Sequence, residues 1–159
     1  MTDIAARAEV GRTTFFRYFG DKSEVVFAKE QAMLDAIDGA REDDAPAART
    51  LHDAVEQLRP IVLDLCAFAA SDPDAFARRA ELLERHVELS ARDALKNQQM
   101  GSKLGELLRH RGATEATAAL AARVALACYE TGRLRARTPA DLVRECRAAF
   151  REVLALGAG

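Results

Sequence analysis

Hydrophobic positions along this chain recur at steps of three and four residues, the spacing of amphipathic helices. The clearest run is Leu51, Val55, Leu58, Val62, Leu65 and Ala69. Sustained period-two alternation of Val, Ile and aromatic residues, the mark of half-buried strands, is absent from the sequence. The pattern therefore predicts an all-α protein.

Breakers and capping residues divide this pattern into helices. Acidic segment 41–46 and segment 71–74 read as connectors, and Asp21 with Glu24 forms a capping-box-like pair. Because Pro60 lies inside one helical run, we expect a kink or two abutting helices there. We predict helices over 2–9, 12–19, 22–40, 47–70, 75–110 (as one helix or two), 114–136 and 139–156.

The amino-acid composition excludes several classes of protein. Alanine is the commonest residue, whereas the 159 residues include only 9 Gly and 4 Pro, which favours helix throughout. With 49% hydrophobic and 30% charged residues, the chain is not a disordered one. The net charge of −2 creates no global field toward nucleic acid or anionic lipid, so any such binding requires a local patch.

The cysteines and the N-terminal residues indicate the cellular compartment in which the protein is expected. Cys66, Cys128 and Cys146 form no CxxC pair and lie in apolar helical settings, which favours buried reduced thiols over a metal or dithiol site. Charged residues interrupt any signal-peptide pattern, and the most apolar stretch, 61–70, is too short to span a bilayer. We expect a cytoplasmic protein with no membrane partner, no metal and no cofactor.

Enzyme motifs are also missing from the sequence. We find no Walker loop, GxGxxG, GxSxG or HExxH pattern, and none of the three His residues has a Glu three positions before it. We therefore expect a protein that is not an enzyme.

The first thirty residues carry the most specific signal. Two short helices separated by Glu9-Val10-Gly11 have the spacing of a helix-turn-helix. On the second helix, hydroxyl and guanidinium groups fall opposite the apolar face of Phe15 and Phe19, where they suit base edges and phosphates. The candidate DNA-binding residues are Thr2, Arg12, Thr13, Thr14, Phe16, Arg17, Tyr18 and Lys22.

These residues are recognisable as a family motif. The run Asp3-Ile-Ala-Ala-Arg-Ala8, Val10, Thr14-Phe-Phe-Arg-Tyr-Phe19 and Asp21-Lys22 closely resembles the DNA-binding motif of TetR-family bacterial repressors. The resemblance covers about 25 residues, and Glu9 and Gly11 depart from the Gly and Ser usual at the turn and cap. It implies a homodimer that binds a palindromic operator on double-stranded DNA and releases it when a small-molecule effector binds.

The resemblance also implies a division of the chain. Residues 1–40 form the helix-turn-helix module with its connecting helix, and residues 41–159 form a larger helical domain for ligand binding and dimerisation. From the apolar faces of the bundle we select candidate ligand-binding residues, namely Met33, Ile37, Leu58, Leu65, Cys66, Phe68, Met100, Leu104 and Tyr129. The family's dimer contact uses the last two long helices, and the candidates there are Leu120, Val124, Ala127, Thr131, Leu142, Cys146 and Phe150.

A second interpretation stays open. The family carries a helix before this motif, whereas the sequence begins at Met1. We expect either that the natural start lies upstream or that the DNA-binding module is impaired. In the latter case the protein is a truncated regulator, a dimeric helical module that binds a small molecule but not DNA.

Overall fold

A computed structural model describes residues 24, 27 and 29–158, and every regular element in this part of the chain is helical. The all-α prediction is therefore confirmed. A 3-10 turn at Ala40–Glu42 follows the first helix. In chain order the helices are α1 (Glu30–Gly39), α2 (Leu51–Ala69), α3 (Pro73–Arg85), α4 (Val87–His110), α5 (Glu115–Arg135) and α6 (Pro139–Leu156).

Local sequence explains where these helices begin and end. Helix α2 starts at a capping box, in which Thr50 Oγ1 accepts from the Asp53 backbone N–H at 3.1 Å and Asp53 Oδ2 accepts from the Thr50 N–H. Asp72 caps α3 by accepting from the Ala75 backbone N–H, with Pro73 at the first helical position. Gly112, with φ of +93°, terminates α4 in a left-handed conformation that favours glycine.

Two predicted boundaries are decided by the structure. Pro60 lies within α2 and does not end it. Its position is solvent-exposed, so the Glu56 carbonyl that loses its helical partner there can bind water. The predicted stretch 75–110 is two helices separated at His86, whose backbone is extended and which ends α3 and begins α4.

Helix α5 is the centre of the bundle and packs against α2, α4 and α6. Its small residues Ala118, Ala121, Ala122 and Ala125 are buried, and small side chains of this kind let neighbouring helices approach closely. The tightest approach is at Gly132, where a Cβ atom would lie 2.8 Å from Cys146 Cβ and 2.9 Å from the Cys146 backbone N. Helices α5 and α6 are therefore held together at a position where only glycine fits.

Cys66, Cys128 and Cys146 are free thiols and all three are buried, as their sequence setting predicts. In the part of the chain that the structure describes, no helix has the length and apolar character needed to cross a membrane.

Candidate ligand pocket

A partly open cavity of about 150 Å³ lies where α1, α3, α4, α5 and α6 meet the end of α2. Part of its wall is apolar, with Met33 from α1, Phe76 from α3 and Leu142 from α6. The rest is polar or charged, and the residues with ionisable groups are Lys29, Glu30, Asp72, Arg79, Lys96, Tyr129 and Arg133. A mixed wall of this kind is typical of small-molecule sites.

A buried ionic cluster forms the charged side of the cavity. The Asp93 carboxylate on α4 binds the guanidinium of Arg79 on α3 and accepts from Arg133 Nη1 on α5 at 2.9 Å. Lys96 lies one turn further along α4, with its Nζ 3.8 Å from Asp93 Oδ1, which is beyond hydrogen-bond distance. The cluster therefore joins three helices through one carboxylate.

Cationic groups outnumber the carboxylate in this cluster. The Lys96 side chain is only 5% exposed, and those of Arg79 and Arg133 are 18% and 19% exposed. Glu30 and Asp72 also line the cavity, but Glu30 is half-buried and Asp72 is exposed and caps α3. The interior of the cavity consequently carries an excess of positive charge.

This environment shifts the titration of the groups around it. Burial lowers the pKa of Lys96 to about 8, and the positive charges of Arg79 and Arg133 act in the same direction. Burial also lowers the pKa of Arg79 and raises the pKa of Tyr129, so the phenol stays protonated at neutral pH and can donate a hydrogen bond. Both effects follow from placing ionisable groups in a low-dielectric site.

The sequence-predicted ligand residues are divided between three places. Met33 and Tyr129 line the cavity. Leu65 and Phe68 line a separate, more open groove between α1 and α2, and the Phe68 side chain is 40% exposed. The remaining candidates, Ile37, Leu58, Cys66, Met100 and Leu104, belong to the main hydrophobic core.

Sequence reasoning missed the charged residues of the site. Asp93 and Lys96, together with Asn97, lie on the buried face of α4 in line with Leu89, Met100 and Leu104. Polar residues that interrupt an otherwise apolar helical stripe are unusual, because burying them requires partners. These polar residues within an apolar stripe are the sequence feature that could have indicated the site. No feature of the sequence near Arg79 or Arg133 indicates that these residues pair with Asp93.

The predicted dimer residues also differ in their placement. Leu142, Cys146 and Phe150 are fully buried within the chain's own core, and Leu142 lines the cavity. A side chain with no accessible area has none to bury against a partner, so these three residues are removed from the predicted interface. Leu120 and Ala127 are exposed on α5, and Val124 and Thr131 are half-buried on the same face.

The predicted DNA-binding residues, from Thr2 to Lys22, lie outside the described residues. The comparison with known families covers them. Residues 1–28 match the family described as "Bacterial regulatory proteins, tetR family". The match confirms the TetR-family resemblance that the sequence predicts and supports a DNA-binding transcriptional regulator. No curated protein and no solved structure matches the chain.

Proposed function

We propose that this protein is a homodimeric, TetR-like repressor that binds a palindromic operator through residues 1–40 and is released by a small molecule bound in residues 41–159 together with α1. The observation that carries the proposal is the position of the cavity relative to the family match. The matched segment ends at residue 28, and Lys29, Glu30 and Met33 line the cavity. The segment that matches the DNA-binding family and the first residues of the cavity wall are therefore consecutive in the sequence, with no linker between them.

A second contact joins the matched segment to the cavity wall. Phe27 is buried against Leu89 of α4, with Leu82 and Leu83 of α3 packed around this pair. The same two helices supply Arg79 and Lys96 to the cavity. A shift of α3 or α4 on ligand binding would consequently act on the end of the DNA-binding segment through Phe27.

The mechanism follows from the geometry of operator binding. Two recognition helices of a dimer must lie about 34–36 Å apart to enter successive major grooves. A ligand that prefers one arrangement of α1, α3 and α4 shifts the population toward that arrangement. If this arrangement has a different separation of the recognition helices, the ligand lowers the affinity for the operator.

The direct test is a salt-titrated mobility-shift assay on DNA that flanks the protein's own gene, with random duplex as competitor. We expect tight, sequence-dependent binding whose affinity falls steeply with salt. Arg17→Ala should relax the sequence preference, whereas Lys22→Ala should weaken binding to all sequences alike and lower the salt slope by about 1. Arg59→Ala, on α2 outside the motif, is the matched control and should behave as wild type.

Binding to the flanking DNA no tighter than to random duplex would contradict the proposal. That result would favour the alternative, a dimeric helical module that binds a small molecule without binding DNA. Identical behaviour of the Arg17 and Lys22 variants and wild type would instead reject the assignment of these two residues.

A further inference from the structure

The chemistry of the cavity wall indicates which class of molecule it accepts. Lys96, Arg79 and Arg133 bring three cationic groups together around one buried carboxylate, Asp93, and the less buried Lys29, Glu30 and Asp72 also line the cavity. Uncompensated buried charge is costly to a fold, and it is relieved when an ion of opposite sign enters the site. The charge imbalance therefore favours an anionic ligand over a neutral or cationic one.

Lys96 is the group with the most capacity to bind such a ligand. Arg79 and Arg133 already donate to Asp93, whereas Lys96 Nζ lies 3.8 Å from that carboxylate. An ammonium group carries three donors. Tyr129, buried beside Arg133, adds a phenol that remains protonated and can donate to an anion.

The rest of the wall sets the size and polarity of the ligand. Met33, Ala69, Phe76 and Leu142 offer an apolar surface opposite the charged groups. The volume of about 150 Å³ is that of an apolar cavity known to accept a benzene ring. A molecule with a single ring or a short alkyl chain, and with one acidic group, fits both the volume and the two sides of the wall.

We propose that this cavity binds a small organic carboxylate, with the acid group on Lys96, Arg79, Arg133 and Tyr129 and the apolar part against Met33 and Phe76. This inference rests on the proposed function only in that the bound acid would be the effector. Binding of the acid is a property of the cavity itself and does not require DNA.

Calorimetry on the full chain at pH 7 tests the inference with benzoate, its neutral isostere benzamide and inorganic phosphate. Benzoate should bind with one site per chain, and benzamide should bind roughly 10- to 100-fold more weakly because it lacks the charge. Phosphate, which has no apolar part, should also bind more weakly. Lys96→Met should weaken benzoate binding by a similar factor and leave benzamide binding unchanged.

Lys103→Met is the matched control, because Lys103 lies on α4 two turns beyond Lys96, pairs with Asp38 and is not part of the cavity wall. It should bind benzoate as wild type does. Circular dichroism of both variants verifies that they are folded. Should Lys96→Met fail to fold, Tyr129→Phe provides the second variant, with weaker benzoate binding and unchanged benzamide binding expected.

The outcomes separate this inference from the proposed function. Equal binding of benzamide and benzoate, tighter binding of phosphate, or no binding of benzoate would each overturn the carboxylate site and leave DNA binding unaffected. Conversely, benzoate that binds through Lys96 without lowering operator affinity would support the carboxylate site and contradict ligand release.

Discussion

Lys96 is the residue at which binding and stability are expected to oppose each other. It occupies a core position on α4 among Leu89, Met100 and Leu104, where an apolar side chain would normally stabilise the fold. Its neighbours are the cations Arg79 and Arg133 and the carboxylates Asp93 and Glu30. A residue that destabilises the fold is retained most readily when it has a function, and the function proposed for Lys96 is to bind an anionic ligand in the cavity.

The pH dependence of folding tests this view of Lys96. Its pKa is about 8 in the folded chain, against 10.5 for a free lysine, so the unfolded state binds more protons between these values. The charged form of Lys96 therefore opposes folding below pH 8, and this cost disappears as the pH rises from about 8 to 10.5. Without ligand, Lys96→Met should be more stable than wild type at pH 7, by about 1–3 kcal/mol.

Urea unfolding at pH 7 and pH 10.5 provides the measurement, followed by circular dichroism. The stability difference between Lys96→Met and wild type should shrink at the higher pH, where wild-type Lys96 is largely neutral. Lys103→Met should show no such gain at pH 7. A Lys96→Met variant that is less stable than wild type at pH 7 would be inconsistent with an uncompensated buried charge.

The sequence predicts the buried apolar residues of the helices but not the ion cluster. Burial of Leu58, Met100 and Leu104 follows from their helical spacing, because periodicity reports which face of a helix is apolar. The ion cluster does not follow from it. Asp93 and its partners Arg79 and Arg133 are 14 and 40 residues apart in the sequence, so only the packing of three helices brings them together.

Among the elements, the pair α5 and α6 depends most on one residue. Gly132→Ala should destabilise the protein, because the added Cβ would meet Cys146 backbone atoms, which cannot move without shifting α6. Overpacking of this kind costs about 1–3 kcal/mol, more than the gain of roughly 1 kcal/mol from replacing a helical Gly with Ala. Urea unfolding should give a lower midpoint than wild type.

Gly105→Ala is the control for this prediction. Gly105 is also a buried helical glycine, but its added Cβ would lie 3.7 Å from Ala122 Cβ, an ordinary contact distance. Here the helix propensity should dominate, and the variant should be as stable as wild type or more so. If Gly132→Ala unfolded at the same urea concentration as Gly105→Ala, the close approach at Cys146 would not limit the packing of α5 on α6.

Capping residues mark several observed helix ends, but the predicted starts at 47 and 75 missed two of them, since α2 begins at Leu51 and α3 at Pro73. Thr50 with Asp53, Asp72 with Pro73, and Gly112 each lie at an observed helix end. The break at His86 has no Gly or Pro beside it, so the sequence allowed one helix or two. Pro60 shows the converse, since a residue that usually ends helices is accommodated on the exposed side of α2.

For the whole molecule, the proposed homodimer requires a surface that the chain does not use for its own packing. The face of α5 with Leu120, Val124, Ala127 and Thr131 meets this requirement, since its residues are exposed or half-buried and recur at three- and four-residue steps. The Leu120 side chain is 51% exposed. We expect this face to form the centre of the dimer interface.

Sedimentation velocity on two matched variants tests this expectation. Leu120→Arg should shift the protein toward monomer, because it places a charge in the centre of an apolar contact. Leu95→Arg, at a leucine of similar exposure (56%) on α4, should leave the oligomeric state of the wild type unchanged. A Leu120→Arg protein that sediments as wild type would place the interface elsewhere.

The cavity has one further consequence, which concerns the lifetime of the protein. Its wall consists of residues between 29 and 142 that come from all six helices, so it exists only when α1 to α6 have assembled. A ligand that binds this assembled wall, and not the unfolded chain, stabilises the folded state by about 2.7 kcal/mol at a hundred times its dissociation constant. If this ligand is the proposed effector, it also protects the protein from proteolysis, so the protein accumulates while the effector is abundant.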